Sequence, residues 1–173
     1  TTADIDAAAR RIEPYIRKTP LMDLAPHEFG TERPVQLKLE FLQHAGSFKS
    51  RGAFNNLLDG SIPKAGVAAA SGGNHGAAVA HAAQRLGHKA TIFVPEISSS
   101  AKIAAIRGFG ADARVGGARY NDALDACNAF IASSGARSVH AYDTAPTIAG
   151  QGTLAREWAA QAGADMPDTV LVA

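Results

Sequence analysis

Two short stretches carry side chains whose type and spacing could do chemistry. The first, Gly46-Ser47-Phe48-Lys49-Ser50-Arg51-Gly52, places a lysine at the start of a predicted helix. Free backbone N–H groups and the positive end of the helix dipole disfavour an ammonium ion there. A neutral amine is what Schiff-base chemistry needs, because only the lone pair attacks a carbonyl. Spacing alone leaves Lys49 as either such a nucleophile or a solvated lysine at a helix start. The second stretch, Ser71-Gly72-Gly73-Asn74-His75-Gly76, lies between a small-residue strand and an amphipathic helix. Adjacent glycines let a ligand approach the main chain, and the N–H groups that open the helix suit an anion. A carboxylate or phosphate site is the natural reading; the alternative is that the glycines serve turn geometry alone.

Other chemistries fit poorly. Glu96 follows the second turn by about the spacing of a ribose-binding acid, but Ser71 occupies the first glycine position of a dinucleotide fingerprint, so the match is partial. The six histidines form no H-E-x-x-H and no i,i+4 helical pair, so no metal site is predicted. His81 and His88 read as surface or packing residues. Nucleophile-elbow and Walker A patterns are absent. The single cysteine, Cys127, falls in a helix-like stretch and reads as a buried packing thiol.

The elements that must carry these turns follow from periodicity. A helix is expected over residues 3–16, from Ile5, Ala8, Ala9, Ile12 and Ile16, with Thr2 or Asp4 as N-cap. Alternation over Val35 to Glu40 predicts a strand on whose polar face Lys38 and Glu40 are solvated. A helix over Lys49 to Leu58 stops at Asp59-Gly60. Strands are expected at Gly66 to Ser71, Ala90 to Pro95, Asp112 to Val115 and Ser138 to Tyr142. Helices are expected at Asn74 to Leu86, Ser99 to Phe109, Tyr120 to Ser133 and Thr147 to Gln161. A hydrophobic strand, Thr169 to Ala173, ends the chain. Such alternation marks an α/β protein, an open and mostly parallel sheet with helices on both faces.

Composition agrees. The 173 residues are 46% hydrophobic and 19% charged, enough apolar content for one or two small domains and too much for disorder. Many alanines and 17 glycines let helices approach a sheet closely. Seventeen basic against sixteen acidic residues leave a net charge of +1, with no basic block to neutralise a phosphate backbone, so nucleic acid is not an expected partner. No stretch approaches 18 uninterrupted apolar residues, so no membrane span is expected, and the reading is cytoplasmic.

Taken together and in order, these segments resemble the fold type II pyridoxal-phosphate enzymes, in their serine/threonine dehydratase and serine racemase branch. The resemblance is carried by Thr19-Pro20-Leu21, by Leu37 to Gln43 running into Gly46 to Ala53, and by Ala70 to Gly76. It continues through Val94-Pro95-Glu96, Lys102, Gly110-Ala111 and Ile148 to Thr153. It implies pyridoxal 5'-phosphate as cofactor. By the same resemblance Lys49 holds the cofactor as a Schiff base and moves the substrate α-proton, Phe48 packs on its ring and Asn74 bonds its phenolic oxygen. Ser71, Gly72, Gly73, Asn74 and His75 form the turn that grips the substrate carboxylate.

Position 72 bears on the reaction. Racemases of the branch resemble Ser-Ser-Gly-Asn-His, whose second serine serves the opposite face of the substrate; Gly72 can transfer no proton. The expected activity is therefore an ammonia-lyase that removes water from L-threonine or L-serine to give a 2-oxo acid and ammonia. A racemase and a non-catalytic nucleotide-binding module built on the second turn and Glu96 are the alternatives. Where dehydratases usually carry alanine, Gly72 is expected to enlarge the pocket slightly, which leaves a hydroxyaspartate substrate open. The resemblance also implies a phosphate-cradling glycine loop after residue 173. On that reading the chain lacks the C-terminal half and is inactive alone. Residues 1–60 and 144–173 then belong to a large cofactor-binding domain and 61–143 to a small α/β domain, with a homodimer expected for the full-length protein.

Overall fold

Thr1, rather than the expected Thr2 or Asp4, caps the first helix, because Asp4 reaches back to it in a capping box. The helix, α1 (Thr2–Ile12), gives way to a 3-10 turn holding Pro14, which accounts for its stopping short of Ile16. The computed structural model describes residues 1–171. The elements that follow are β1 (Leu21–Leu24), β2 (Val35–Lys38), α2 (Lys49–Leu58), β3 (Val67–Ala70), α3 (Asn74–Leu86) and β4 (Ala90–Val94). Then come α4 (Ser100–Gly108), β5 (Asp112–Val115), α5 (Tyr120–Ser134), β6 (Arg137–Ser138) and α6 (Ala145–Ala162).

β3 to β6 form one parallel sheet in the order β5-β4-β3-β6, and β1 and β2 make a separate antiparallel pair. Strand alternation sorts the sheet's side chains to two faces. Val67, Ala69, Ile92 and Val94 join Phe54, Ala78 and Ile106 in one core. Ala68, Ala70 and Phe93 pack with Ala123 and Cys127 of α5 in the other. Helices cover both faces, as expected. Burial pushes the Cys127 thiol up to about 11, which suits a packing residue. His81 packs too, stacked on His44 at 5.1 Å and edge-on to Phe54 and Phe109.

Two expected strands differ. The one at Ser138 to Tyr142 shares only Ser138 with β6, because the His140 ring accepts the Tyr142 and Asp143 N–H groups and turns the chain away. Thr169 to Leu171 form no strand, since no neighbouring strand pairs with them and Leu171 is 91% exposed. Val172 and Ala173 lie outside the described residues.

The reading of Lys38 and Glu40 as solvated is overturned. The Lys38 side chain is 3% exposed; its Nζ donates to Glu157 at 2.5 Å, the Thr19 carbonyl at 2.7 Å and Gln161 at 2.6 Å. Arg51, fully buried, donates two bonds to Glu40, at 2.7 and 2.8 Å, and one to Glu157 at 3.0 Å. Thr19 adds a bond to Glu40 at 2.5 Å. Two cations and two carboxylates thus neutralise each other out of water, the arrangement a buried charge requires. Burial alone would raise the Glu157 carboxyl, but the bonds from Arg51 and Lys38 outweigh it and hold it below the usual range.

Helix α6 reaches this network because it packs closely on α2. A Cβ on Gly150 would lie 2.7 Å from the Arg51 carbonyl and from Gly52 Cα, both main chain. Ordinarily glycine to alanine inside a helix gains up to about 1 kcal/mol. Here the methyl overpacks the crossing, so Gly150→Ala is expected to lose about 1–3 kcal/mol, read as a lowered urea midpoint; a raised midpoint would contradict the close approach.

Candidate active site

Lys49 is the first residue of α2, as its spacing predicted. Two residues in the left-handed region, Ala45 at φ 59° and Gly46 at φ 74°, bend the chain into the helix. Ser50 Oγ latches the bend by donating to the His44 carbonyl. The Lys49 amine donates to the Ala141 carbonyl at 2.9 Å and lies 5.0 Å from the centre of the Phe48 ring. Burial lowers its proton affinity below that of an ordinary lysine, which favours the neutral nucleophilic form. Beside it, the buried Ser47 hydroxyl has no hydrogen-bond partner.

The second turn leaves the end of β3. Ser71 N–H donates to the Phe93 carbonyl of β4 at 2.9 Å, and Ser71 Oγ accepts the Gly73 N–H at 3.2 Å. Gly76 is required for packing: a Cβ there would lie 2.9 Å from the Ser71 carbonyl and 3.0 Å from Ile92. Asn74 opens α3 with its side chain exposed, whereas His75 is buried with Nε2 2.9 Å from the Val139 carbonyl. Desolvation, against the Val139 bond and with Lys49 and His140 adding repulsion, lowers its pKa to about 4, so the ring is neutral at pH 7 and donates Nε2–H to that carbonyl.

The two turns are joined by a segment that spacing did not single out. Val139 accepts from His75 and Ala141 accepts from Lys49, so residues 139–141 bridge them at the carboxyl edge of the sheet. That edge is where open α/β sheets bind ligands. Lys102 also approaches, its Nζ 3.9 Å from where a Cβ on Gly73 would lie, which adds positive charge to the turn. The expected enlargement at Gly72 is corrected: Ser98 Oγ occupies that space, 1.9 Å from where a Cβ would stand. A separate groove, bordered by Leu21, Leu24, Val35 and Gln161, contains none of the turn residues. Among the described residues no cluster of three or more His, Cys, Asp or Glu could hold a metal, and no helix is long and apolar enough to cross a membrane.

The family described as "Pyridoxal-phosphate dependent enzyme" matches residues 12–173. The chain belongs to that family. This pyridoxal-phosphate enzyme is 38% identical over 169 residues to the phenylserine dehydratase of Ralstonia pickettii, covering 95% of this chain and 52% of that one. Its fold superposes on the T.th. threonine deaminase with a TM-score of 0.87 at 39% identity, covering 95% of this chain and 52% of the other. Maize serine racemase gives 0.87 at 31% identity, covering 92% and 49%. These neighbours make it a fold type II enzyme of the dehydratase and racemase branch. The chain spans about half the length of the relatives it matches. Pyridoxal 5'-phosphate is the cofactor of this pyridoxal-phosphate enzyme family, and the residues present fit it. An amine of lowered basicity at Lys49 beside the Phe48 ring, an unpartnered hydroxyl at Ser47 in the same turn and an exposed amide at Asn74 in the second turn are groups that suit it. Family membership displaces the nucleotide-module reading.

Proposed function

We infer that the protein is a pyridoxal-phosphate-dependent lyase that removes water from L-threonine or L-serine, giving a 2-oxo acid and ammonia, with this chain as its N-terminal part. The observation that carries the dehydratase over the racemase is Gly72, which presents no side chain of its own where racemases of the branch carry a second serine. The names of the phenylserine dehydratase and threonine deaminase relatives support the same class.

Bound pyridoxal phosphate supplies an electron sink for the pair left at the substrate α-carbon. Lys49 holds the cofactor through its amine, and Phe48 and Asn74 hold its ring. Burial lowers the basicity of Lys49, and the same amine is the group placed to move the α-proton. The turn from Ser71 to His75 binds the substrate carboxylate at the opening of α3, with Lys102 nearby to favour the negative charge. Neutral His75, fixed on the Val139 carbonyl, holds the turn in place without a competing charge. The proposal extends to a cytoplasmic homodimer with an amino acid as its small-molecule partner. It also extends to the division into 61–143 as a small domain and 1–60 with 144–173 as part of a larger one.

Incubating the cofactor-loaded full-length protein with each amino acid tests this reading. Equal amounts of 2-oxo acid and ammonia are expected from L-threonine or L-serine, with no D-serine formed. The likeness to maize serine racemase keeps the racemase as the second reading. D-serine appearing faster than the 2-oxo acid would decide for it, and no turnover of either amino acid would overturn the dehydratase.

A further inference from the structure

Ser98 stands where a side chain at position 72 would stand. A Cβ on Gly72 would lie 1.9 Å from Ser98 Oγ, 3.1 Å from Ser98 Cβ and 3.3 Å from Pro95 Cδ. The two residues meet because β3 and β4 are parallel neighbours, with Ala70 opposite Phe93, and both leave the sheet at the same edge. β3 runs into the 71–76 turn; β4 runs into Pro95-Glu96-Ile97-Ser98. That second connection is closed by the Ser98 N–H donating to the Pro95 carbonyl at 3.0 Å. It is anchored by the Glu96 N–H on the Gly117 carbonyl at 2.9 Å. Main-chain bonds therefore fix Ser98 from outside the turn it touches.

Its hydroxyl is free to act. Ser98 is half-buried, and no hydrogen bond among the described residues engages its Oγ. A polar group held this way against glycine backbone needs a partner from water or ligand. The turn also has use for one more donor, because the Gly73 N–H is committed to Ser71 Oγ. An α-carboxylate has about four lone-pair directions to fill, and Ser98 supplies a hydroxyl beside the donors of the turn and α3.

We propose that Ser98 Oγ is a substrate-binding hydroxyl that donates to the α-carboxylate of the amino acid on the 71–76 turn, in place of the side chain Gly72 lacks. The assignment rests on the reading of that turn as the carboxylate site. A hydrogen bond to a charged group sets its expected size at about ten- to a hundredfold in affinity.

The test uses the cofactor-loaded full-length protein and calorimetric binding of L-alanine, which has no β-hydroxyl to eliminate. Ser98→Gly should weaken L-alanine binding by about tenfold or more, with the visible spectrum of the bound cofactor unchanged. Gly72→Ala/Ser98→Gly refills the space without a hydroxyl and should stay weak. Gly72→Ser/Ser98→Gly returns a hydroxyl from the other side and should recover to within about threefold of the parent. Equal affinity in all four proteins, recovery by the alanine swap, or no binding by the parent would each overturn the proposal. D-serine formation abolished by Ser98→Gly at unchanged L-alanine affinity would also overturn it, by assigning the hydroxyl to proton transfer. Formation of 2-oxo acid from L-threonine is read separately. If it is absent while L-alanine binding depends on Ser98, the dehydratase falls and the Ser98 role stands.

Discussion

Arg51→Met is expected to destabilise the protein by about 3–5 kcal/mol, measured as a fall in the urea midpoint at constant slope. Arg51 is the cation shared between Glu40 and Glu157, and its side chain reaches no solvent. Methionine fills most of its volume but leaves two carboxylates facing one another with only Lys38 to compensate, and of the two Lys38 bonds only Glu157. The surviving charge at Glu40 keeps a hydrogen bond from Thr19 and nothing cationic. Removing Glu40 along with Arg51 relieves that orphan, because Lys38 and Glu157 then remain as a neutral pair. The double variant Glu40→Leu/Arg51→Met should therefore be more stable than Arg51→Met alone. An additive result, with the double variant worse than either single one, would show that the four groups do not act as a unit.

Lys49→Ala should separate function from fold. The side chain is half-buried and makes one hydrogen bond, to the Ala141 carbonyl, so the stability change should stay within about 1 kcal/mol. Activity should fall by at least about a thousandfold, because on the proposed reading the same amine holds the cofactor and moves the proton. The visible absorption of the lysine-bound cofactor and the borohydride-trapped adduct at position 49 should vanish together. Lys49→Arg keeps the charge and the helix start but cannot form the covalent link, so it should fail equally. A colourless parent protein, or an alanine variant with full activity, would remove the enzyme reading altogether.

What was legible in the sequence was what local rules decide. Helix α3 runs from Asn74 to Leu86 as read, because Gly87 takes the left-handed conformation that ends it. The two turns were found because a lysine at a helix start and paired glycines after a strand are local patterns. Lys38 and Glu40 were misread for the opposite reason. Alternation sees only the next few residues, while Lys38 finds its carboxylate at Glu157, 119 positions on, and Glu40 its guanidinium at Arg51 beyond the strand. Strand β1 escaped notice because Leu21 to Leu24 is short and its pairing with β2 supplies what its own pattern does not. Ser98 gave no signal: it matters through the absence of a side chain at Gly72, brought to it by parallel strand pairing.

The buried charges also set an order of assembly. Arg51 and Lys38 leave the ribosome together with Glu40, but Glu157 follows Arg51 by 106 residues and Lys38 by 119. Until α6 has been made, the nascent chain holds two cations and one carboxylate, an imbalance that keeps this region hydrated. The sheet from β3 to β6 lies wholly between those partners, and its parallel pairings can close first. The long-range ion pairs should then act as a late lock on this part of the fold. In pulse-labelled hydrogen exchange on nascent chains arrested before α6, the amides of β3 and β4 should be protected while those of α2 beside Arg51 are not.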